Sequence, residues 1–252
     1  RAAAKAASID LSKYRLITTP HSHAAAAKAV ALARAGEVEA LMKGSLHTDE
    51  LMHEVLLADS GLRTERRVSH VYLFDVVVYP RPLLITDAAI NIQPSLSDKR
   101  DICQNAIDLA HILGIPDPKV AILSAVETVS DKLPSTLDAA ALCKMADRGQ
   151  IRGGQLDGPL AFDNAVSPQA ARTKQIVSPV AGQADILLVP DLESGNMLAK
   201  QLTFFDGADA AGIVLGARLP IILTSRADSA RTRIASCAIA TLIADARRRT
   251  VT

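Results

Sequence analysis

Ser225, Arg226 and Asp228 place a hydroxyl, a guanidinium and a carboxylate within four residues of one another. They follow the apolar run at 220–223 and precede an Ala-rich amphipathic segment, a pattern typical of a strand that gives way to a helix. A serine can donate a hydrogen bond, an arginine can bind an anion through parallel N–H groups, and a carboxylate can accept a proton. The stretch is therefore a candidate for chemistry on an anionic ligand.

Three further polar loops follow apolar runs in the same way. Lys43 and Gly44 come after VEALM, Ser124 comes after VAIL, and residues 191–196 come after ILLVP. In open α/β sheets, ligands bind beyond the carboxyl ends of strands, where helix N-termini present unpaired N–H groups to anions. Four such loops predict a phosphorylated ligand, with the alternative that each one only caps a helix.

Familiar nucleotide, hydrolase and metalloprotease motifs (GxGxxG, GxxxxGK[ST], GxSxG and HExxH) do not occur in the sequence. The nearest approach to a metal pair is His21 and His23, which have no obvious third ligand. We therefore predict that these histidines cap a helix or lie on the surface. We expect no metal in the chemistry.

Composition sets the class of protein. The 252 residues are 49% hydrophobic, with 28 Lys and Arg against 27 Asp and Glu, and with no Trp. This balance argues against binding to nucleic acid, and no apolar run approaches the ~20 residues of a membrane span. Cys103, Cys143 and Cys237 are widely spaced in apolar segments, which predicts buried free thiols and a reducing cytoplasmic location.

Short apolar runs alternate with longer helical ones, which predicts an α/β fold with a mostly parallel sheet. Thr48 and Ser97 are predicted to cap helices, and residues 191–196 are predicted to form a loop. The last helix is predicted to bury Ile234 and Leu242.

Five stretches occur in an order that resembles the phosphate acetyltransferase and phosphate butyryltransferase family. They are LMKGSLHTDELMHEVL, KVAILSAVETV, LDGPLAFDNAV, SPVAGQADILLVPDLESGNMLAKQL and GIVLGARLPIILTSRADS. The resemblance runs from about Ala24 to the end. Its more specific elements, taken together, are the Lys-Gly-x-x-x-Thr block at 43–48 and the Gly-Asn-x-x-x-Lys block at 195–200.

This resemblance implies a two-lobed, three-layer α/β/α fold like that of isocitrate and isopropylmalate dehydrogenases, with a cleft between the lobes and a homodimer. Residues 1–66 and 222–252 would form lobe I, and residues 67–221 lobe II. Lobe I would be N-terminally incomplete, since family members have a further strand and helix there. The resemblance is strongest to versions fused behind an enoyl-CoA hydratase-like domain, so we expect a piece of such a bifunctional protein.

The resemblance also implies an enzyme that moves an acyl group, acetyl or butyryl, reversibly between phosphate and coenzyme A. The reaction would proceed in a ternary complex without an acyl-enzyme, and coenzyme A would be a substrate, not a permanently bound cofactor. By motif, Ser225 would donate a hydrogen bond near the reacting atoms and Arg226 would bind phosphate. The implied substrate-binding residues are Lys43, Gly44, Thr48, His53, Ser124, Asn196 and Lys200.

The sequence departs from the acetyltransferase pattern near these residues. Ala227 replaces a usual glycine, and Thr232 stands about where a catalytic aspartate is expected. Asp228 is the nearest carboxylate, and it could serve as the base or cap the helix. His53 occupies the position of a phosphate-binding arginine. These departures leave the acyl chain open, and they favour one alternative: a non-catalytic module that binds coenzyme A or acyl phosphate, or a scaffold.

Overall fold

The computed structural model describes residues 2–225 and 228–251. Within them, eight strands form one sheet: β1 (Leu41–Met42), β2 (Ser69–Asp75), β3 (Leu83–Thr86), β4 (Lys119–Leu123), β5 (Gln155–Leu160), β6 (Ile186–Leu188), β7 (Asp209–Leu215) and β8 (Ile221–Ile222). Their order across the sheet is β1-β8-β7-β2-β3-β6-β4-β5. The helices of the same residues are α1 (Ala2–Ala6), α2 (Ser22–Arg34), α3 (Thr48–Leu56), α4 (Leu96–Ile112), α5 (Pro134–Asp147), α6 (Phe162–Val166), α7 (Pro168–Thr173), α8 (Leu192–Phe204) and α9 (Ala230–Val251).

The α/β class is confirmed, and four of the seven neighbouring strand pairs are parallel, but the other three are antiparallel, so the sheet is mixed. β2 pairs antiparallel with both β3 and β7, and β7 pairs antiparallel with β8. As a result, β1 and β8 run in the opposite direction to β3, β4, β5 and β6. The carboxyl ends of these two groups of strands therefore lie at opposite edges of the sheet. A short apolar run carries no information about strand direction, which is why the sequence did not indicate this.

Helices cover the two faces of the sheet differently. On one face, α4, α5 and α9 share one continuous core. On the other face the helices form two groups. The first, α2 and α3, packs around Leu41, Val214 and Ile221. The second, with α6 and α8, packs around Ile85 and Leu187. We call the space between these two helix groups the cleft.

The predicted division into two lobes stays a prediction. In the structure the sheet continues from one predicted lobe to the other, since Leu41 of β1, in predicted lobe I, pairs with Ile221 of β8, and Ile221 pairs with Val214 of β7, in predicted lobe II. Beyond the single pair of Val214 and Ile221, β7 and β8 separate. The N–H of Gly212 on β7 instead donates to Oγ of Ser236 on α9 at 3.0 Å.

Two predicted helix caps are wrong by one or two residues. The N-cap of α3 is His47, and Thr48 is the first helical residue. The N-cap of α4 is Ser95 and not Ser97, because Ser95 and Asp98 exchange hydrogen bonds: Oγ of Ser95 accepts from the N–H of Asp98, and Oδ2 of Asp98 accepts from the N–H of Ser95. A carboxylate three residues after a serine forms this capping box.

Residues 192–196 are helical, although the sequence predicted a loop at 191–196. Asp191 is the N-cap of α8, and its Oδ1 accepts the N–H of Ser194 at 2.8 Å. Gly195 lies inside the helix, where a Cβ would come within 2.7 Å of Val189. This glycine therefore permits close packing of a helix on the sheet, whereas in the sequence it resembles a helix breaker.

The predicted buried face of α9 is also wrong. Ile234 is 69% exposed and Leu242 is 48% exposed, whereas Ser236, Ile239 and Ile243 are buried. The helix is Ala-rich and apolar on several sides, so its periodicity does not define one face. Its rotation follows its contacts with β7 and α4.

The remaining composition-based predictions are confirmed in part. The three cysteines are free thiols, but only Cys103 is buried; Cys143 and Cys237 are half-buried. His21 is the N-cap of α2, and its Nδ1 accepts the N–H of Ala24 at 3.2 Å, as predicted for a capping histidine. Across 2–225 and 228–251, no helix is long and apolar enough to cross a membrane.

Candidate active site

The ends of β1 and β8 lie side by side and enclose a pocket of about 440 Å³. Its lining includes three residues predicted from the sequence, Lys43, Gly44 and Ser225, together with Arg233. The parallel pairing of β1 with β8 explains this, because parallel neighbours end at the same edge of a sheet. We call it the phosphate pocket below, for the ligand that its charges suit.

Lys43 is held in this pocket by its own loop. The side chain is buried, and Nζ donates to the carbonyl oxygens of Gly44 at 3.3 Å and Leu46 at 3.2 Å. An ammonium group has three N–H donors. Within the described residues the third donor of Lys43 has no protein acceptor, so it can bind an anion.

Ser225 and Asp228 are joined through the backbone. The N–H of Ser225 donates to Oδ2 of Asp228 at 2.6 Å, and the N–H of Asp228 donates to the carbonyl of Ser225 at 3.2 Å. The start of α9 is capped by a different residue, Ser229, whose Oγ accepts the N–H of Thr232 at 3.0 Å. Asp228 therefore fixes the loop before the helix, and its Oδ1 makes no hydrogen bond in the described part of the chain.

Arg226 lies outside the described residues, so its predicted role stays a prediction. A second guanidinium, which the sequence analysis missed, does lie beside Ser225: Nη2 of Arg233 donates to the Ser225 carbonyl at 3.4 Å. A cation in the first turn of a helix opposes the helix dipole. The first turn of α9, which begins with Ala230, carries both Arg231 and Arg233. Two cations in this unfavourable position were the signal in the sequence that could have indicated an anion-binding arginine.

Ser124 and Asn196 do not line the phosphate pocket. They follow or adjoin strands whose carboxyl ends lie at the opposite edge of the sheet. Oγ of Ser124 lies 2.9 Å from Oγ of Ser135, and Nδ2 of Asn196 donates to the carbonyl of Ala88 at 3.1 Å. The structure therefore separates the four predicted loops into two pairs.

The other predicted binding residues are exposed. Thr48 and His53 lie on α3 and Lys200 lies on α8. None of the three lines the phosphate pocket. That these three residues bind substrate stays a prediction.

The loop after β3 closes one side of the cleft and was also missed. Asp87 is buried, and its oxygens accept the N–H groups of Ala89, Ile90 and Asn91 and the side-chain amide of Asn91. With four donors on it, this carboxylate holds the loop. The loop then joins the two helix groups, because Ala88 packs with the α8 group and Ile90 with the α2 and α3 group.

His70 and Tyr72 of β2 form the floor of the cleft. Their rings make an edge-on contact with centroids 4.3 Å apart. Burial lowers the pKa of His70 to about 4, although the charge of Asp87 acts in the opposite direction. Burial raises the pKa of Tyr72 to about 12, with further contributions from Asp228 and Asp87. At neutral pH the floor therefore consists of a neutral imidazole and a protonated phenol.

The described residues contain no cluster of three His, Cys, Asp or Glu placed to hold a metal ion. His23, one of the two histidines considered above, lies beside a carboxylate, with Nε2 3.2 Å from Oε1 of Glu50. The expectation of metal-free chemistry stays a prediction.

Comparison with known proteins places most of the chain in one family. A family model described as Phosphate acetyl/butaryl transferase matches residues 10–241. A phosphate acetyltransferase of Rhizobium meliloti is 68% identical over 240 residues, which cover 95% of this chain and 76% of the relative. A phosphate butyryltransferase of Clostridium acetobutylicum is 44% identical over 236 residues, which cover 94% of this chain and 78% of that relative.

Solved structures agree with these sequences. A branched-chain phosphotransacylase from Enterococcus faecalis V583 has a TM-score of 0.84 and 33% identity, covering 92% of this chain and 83% of its own. A 4-hydroxythreonine-4-phosphate dehydrogenase from Klebsiella pneumoniae has a TM-score of 0.51 and 16% identity, covering 88% of this chain and 70% of its own. The second likeness concerns the fold alone, and it confirms the isocitrate/isopropylmalate dehydrogenase-like architecture.

Proposed function

Because the chain belongs to the phosphate acetyl/butyryl transferase family, we propose that it moves a short acyl group reversibly between phosphate and coenzyme A. The phosphate pocket is the one observation that connects this function with particular residues. It holds the cations Lys43 and Arg233 beside Ser225, and Ser225 is hydrogen-bonded to Asp228.

The pocket supplies what an acyl phosphate needs for binding. Lys43 and Arg233 offer fixed positive charge to the phosphoryl oxygens, and by its motif Arg226 adds a third cation. A guanidinium binds phosphate through paired N–H groups, while an ammonium acts as a point charge. Gly44 leaves room beside them, since nothing lies within 4 Å of where its Cβ would be.

The chemical step begins with the thiol of coenzyme A. A free thiol has a pKa near 8.5 and reacts as the thiolate. Oδ1 of Asp228 accepts the thiol proton while Oδ2 stays bonded to the N–H of Ser225. The sulfur then attacks the acyl carbonyl carbon, the carbon–oxygen bond to phosphate breaks, and phosphate departs with the electron pair. Ser225 donates a hydrogen bond to the reacting group and never carries the acyl chain.

Coenzyme A is long enough to leave the phosphate pocket and follow the cleft. Asn196 lies on the wall formed by α8, and its amide is already directed to the loop after β3. We assign Ser124, Asn196 and Lys200 to the far end of this substrate, and Thr48 and His53 to the rim near α3. Coenzyme A is a substrate in this scheme, and no permanently bound cofactor takes part.

Acetyl is the acyl group that the comparisons favour. Identity with the acetyltransferase of Rhizobium meliloti is 68%, against 44% with the butyryltransferase of Clostridium acetobutylicum. The motif TSRADS itself is closer to butyryltransferase-like sequences, so both chains belong in the assay. A homodimer and a cytoplasmic location remain part of the proposal, supported by the family resemblance and by the free thiols.

The test measures consumption of free coenzyme A thiol with acetyl phosphate and then with butyryl phosphate. We expect turnover with both, faster with acetyl phosphate, and loss of turnover in Arg226→Ala. Calorimetric binding of coenzyme A to the same protein distinguishes the transferase from a non-catalytic module that binds coenzyme A. Binding without any turnover would contradict the transferase and favour the non-catalytic module, which neither the relatives nor the solved neighbours support.

A further inference from the structure

One position on the cleft floor lacks a neighbouring side chain. Tyr72 stands opposite Ile85 of β3 on one side and Gly212 of β7 on the other. Because Gly212 has no side chain, the rings of His70 and Tyr72 fill the space beside the β7 backbone at this point. This is also where β7 and β8 separate, so the phenol lies at the opening between the two helix groups.

The hydroxyl of Tyr72 has no partner in the described part of the chain. The phenol oxygen is also not completely buried, so a ligand in the cleft can contact it. Tyr79 provides a contrast, because its hydroxyl donates to the carbonyl of Ala184 at 2.6 Å. Of these two tyrosines, Tyr79 alone has a hydrogen-bond partner for its hydroxyl among the described residues.

The ring of Tyr72 is held in place by the ring of His70. The His70 ring packs against it at an interplanar angle of 66°, and a Cβ on Gly212 would lie only 2.8 Å from Nε2 of His70 and 3.3 Å from the Tyr72 ring. His70 is fully buried, and neither of its ring nitrogens has a hydrogen-bond partner among the described residues. Its contact with Tyr72 is a packing contact, which fixes the direction of the phenol.

Two carboxylates act on this phenol from different sides of the cleft. Asp228 belongs to the loop beside the phosphate pocket, and Asp87 belongs to the loop after β3. Burial and these two charges raise the pKa of Tyr72 to about 12, so the hydroxyl keeps its proton at neutral pH and can donate it to an acceptor on a bound ligand.

We propose that Tyr72 is a catalytic residue whose O–H donates a hydrogen bond to the carbonyl oxygen of the acyl group, and that His70 is its positioning residue. The proposal rests on the proposed acyl transfer. Asp228 connects the phenol to the phosphate pocket, since its charge acts on Tyr72 and its Oδ2 accepts the N–H of Ser225, which lines the pocket. In this arrangement Lys43 and Arg233 bind the phosphoryl end, and the carbonyl oxygen of the acyl group accepts from Tyr72.

The carbonyl oxygen gains negative charge when the sulfur adds to the carbon. A donor already aimed at that oxygen stabilises the transition state more than the bound substrate. Removing the donor therefore lowers kcat and kcat/KM by similar factors and leaves KM nearly unchanged.

The experiment compares Tyr72→Phe with Tyr79→Phe, using the thiol assay with acetyl phosphate, calorimetric binding of coenzyme A, and thermal unfolding. For Tyr72→Phe we expect kcat to fall on the order of 10²-fold, the size reported for loss of one oxyanion donor. Its Kd for coenzyme A and its Tm should match the wild type. Tyr79→Phe should show the converse, a lower Tm with unchanged kcat.

A second variant tests the positioning role. His70→Leu keeps an apolar contact but not the ring edge, so we expect a lower kcat that adding Tyr72→Phe does not lower further. Wild-type kcat in Tyr72→Phe would overturn the inference alone, as would an equal fall in Tyr79→Phe. Absence of turnover in the wild type would overturn the proposed function, and this inference with it.

Discussion

The backbone N–H of Ser225 donates a 2.6 Å hydrogen bond to Oδ2 of Asp228. This contact joins the predicted hydrogen-bond donor to the nearest carboxylate, and it does so without using the serine hydroxyl. It also leaves Oδ1 of Asp228 without a protein donor in the described part of the chain. The roles of the two side chains can therefore be separated by substitution.

Replacement of Asp228 by asparagine tests its role as the base. The amide oxygen of Asn can still accept the N–H of Ser225, so the loop should keep its conformation and Tm should change little. The amide cannot take the thiol proton, and general-base contributions are about 10² to 10⁴ in rate. We expect kcat in the thiol assay to fall within that range.

The variant Asp228→Ala is the matched control, because it removes both the base and the loop contact. It should lower kcat to the same extent and should also lower stability by about 1 kcal/mol. If Asp228→Asn lost only stability and kept its kcat, Asp228 would have no part in the mechanism.

Replacement of Ser225 by alanine should reduce turnover without reducing stability. The hydrogen bond to Asp228 uses the backbone N–H, which alanine retains. Loss of the hydroxyl removes a donor near the reacting atoms, and kcat should fall about tenfold to a thousandfold. Steady-state kinetics and thermal unfolding measure the two effects.

Ser229→Ala serves as the control for this variant. Oγ of Ser229 caps α9 and faces no predicted substrate contact. Its loss should lower stability by about 1 kcal/mol and leave kcat unchanged. A wild-type kcat in Ser225→Ala would remove Ser225 from the chemical step.

Replacement of Arg233 by alanine should weaken binding of acyl phosphate. Arg233 lines the phosphate pocket, and charge-assisted hydrogen bonds contribute about 1.5 to 3 kcal/mol. We expect KM for acetyl phosphate to rise on the order of tenfold or more, with a smaller change in kcat.

The neighbouring Arg231 offers a control of the same type in the same helical turn. It pairs with Asp209 at 2.7 Å and does not line the pocket. Arg231→Ala should therefore keep the wild-type KM. Equal KM values for the two arginine variants would show that any contribution of Arg233 is a general field effect.

His70 should make the folded state less stable at acidic pH. Burial lowers its pKa from 6.5 to about 4, so the folded state binds fewer protons than the unfolded chain between those values. Its stability contribution is complete above pH 6.5 and is lost as the pH falls toward 4. By linkage, the loss from this group between pH 7.5 and pH 5 is about 2 kcal/mol.

Urea unfolding at these two pH values, in the wild type and in His70→Gln, isolates this term because other groups titrate in both proteins. The wild type should lose about 2 kcal/mol more than the variant. Parallel pH dependence in the two proteins would show that His70 is not held neutral in the fold.

Much of the chemistry could be predicted from the sequence. The motif at 225–228 and the Lys-Gly block at 43–48 identified three of the residues that line the phosphate pocket, Lys43, Gly44 and Ser225, although not Arg233. Alternation of apolar runs with helical segments also determined the α/β class. These are local properties, and each can be recognised within a few consecutive residues.

The tertiary structure decided which predicted loops meet. Lys43 and Ser225 share a pocket, while Ser124 is at the opposite edge, because antiparallel β2 and β7 reverse the direction of β1 and β8. It also decided that Gly195 lies inside a helix. Neither result has a local signal, since strand direction and close packing depend on partners far away in the chain.

The cleft floor shows the same limit most clearly. In the sequence, SHVYLFD predicts only a strand, and Gly212 interrupts another. The fold sets Tyr72 opposite that glycine and between Asp87 and Asp228, residues from three distant segments. The sequence alone determined which chemical groups are present, whereas the distances and charges between them arise only when packing brings those segments together.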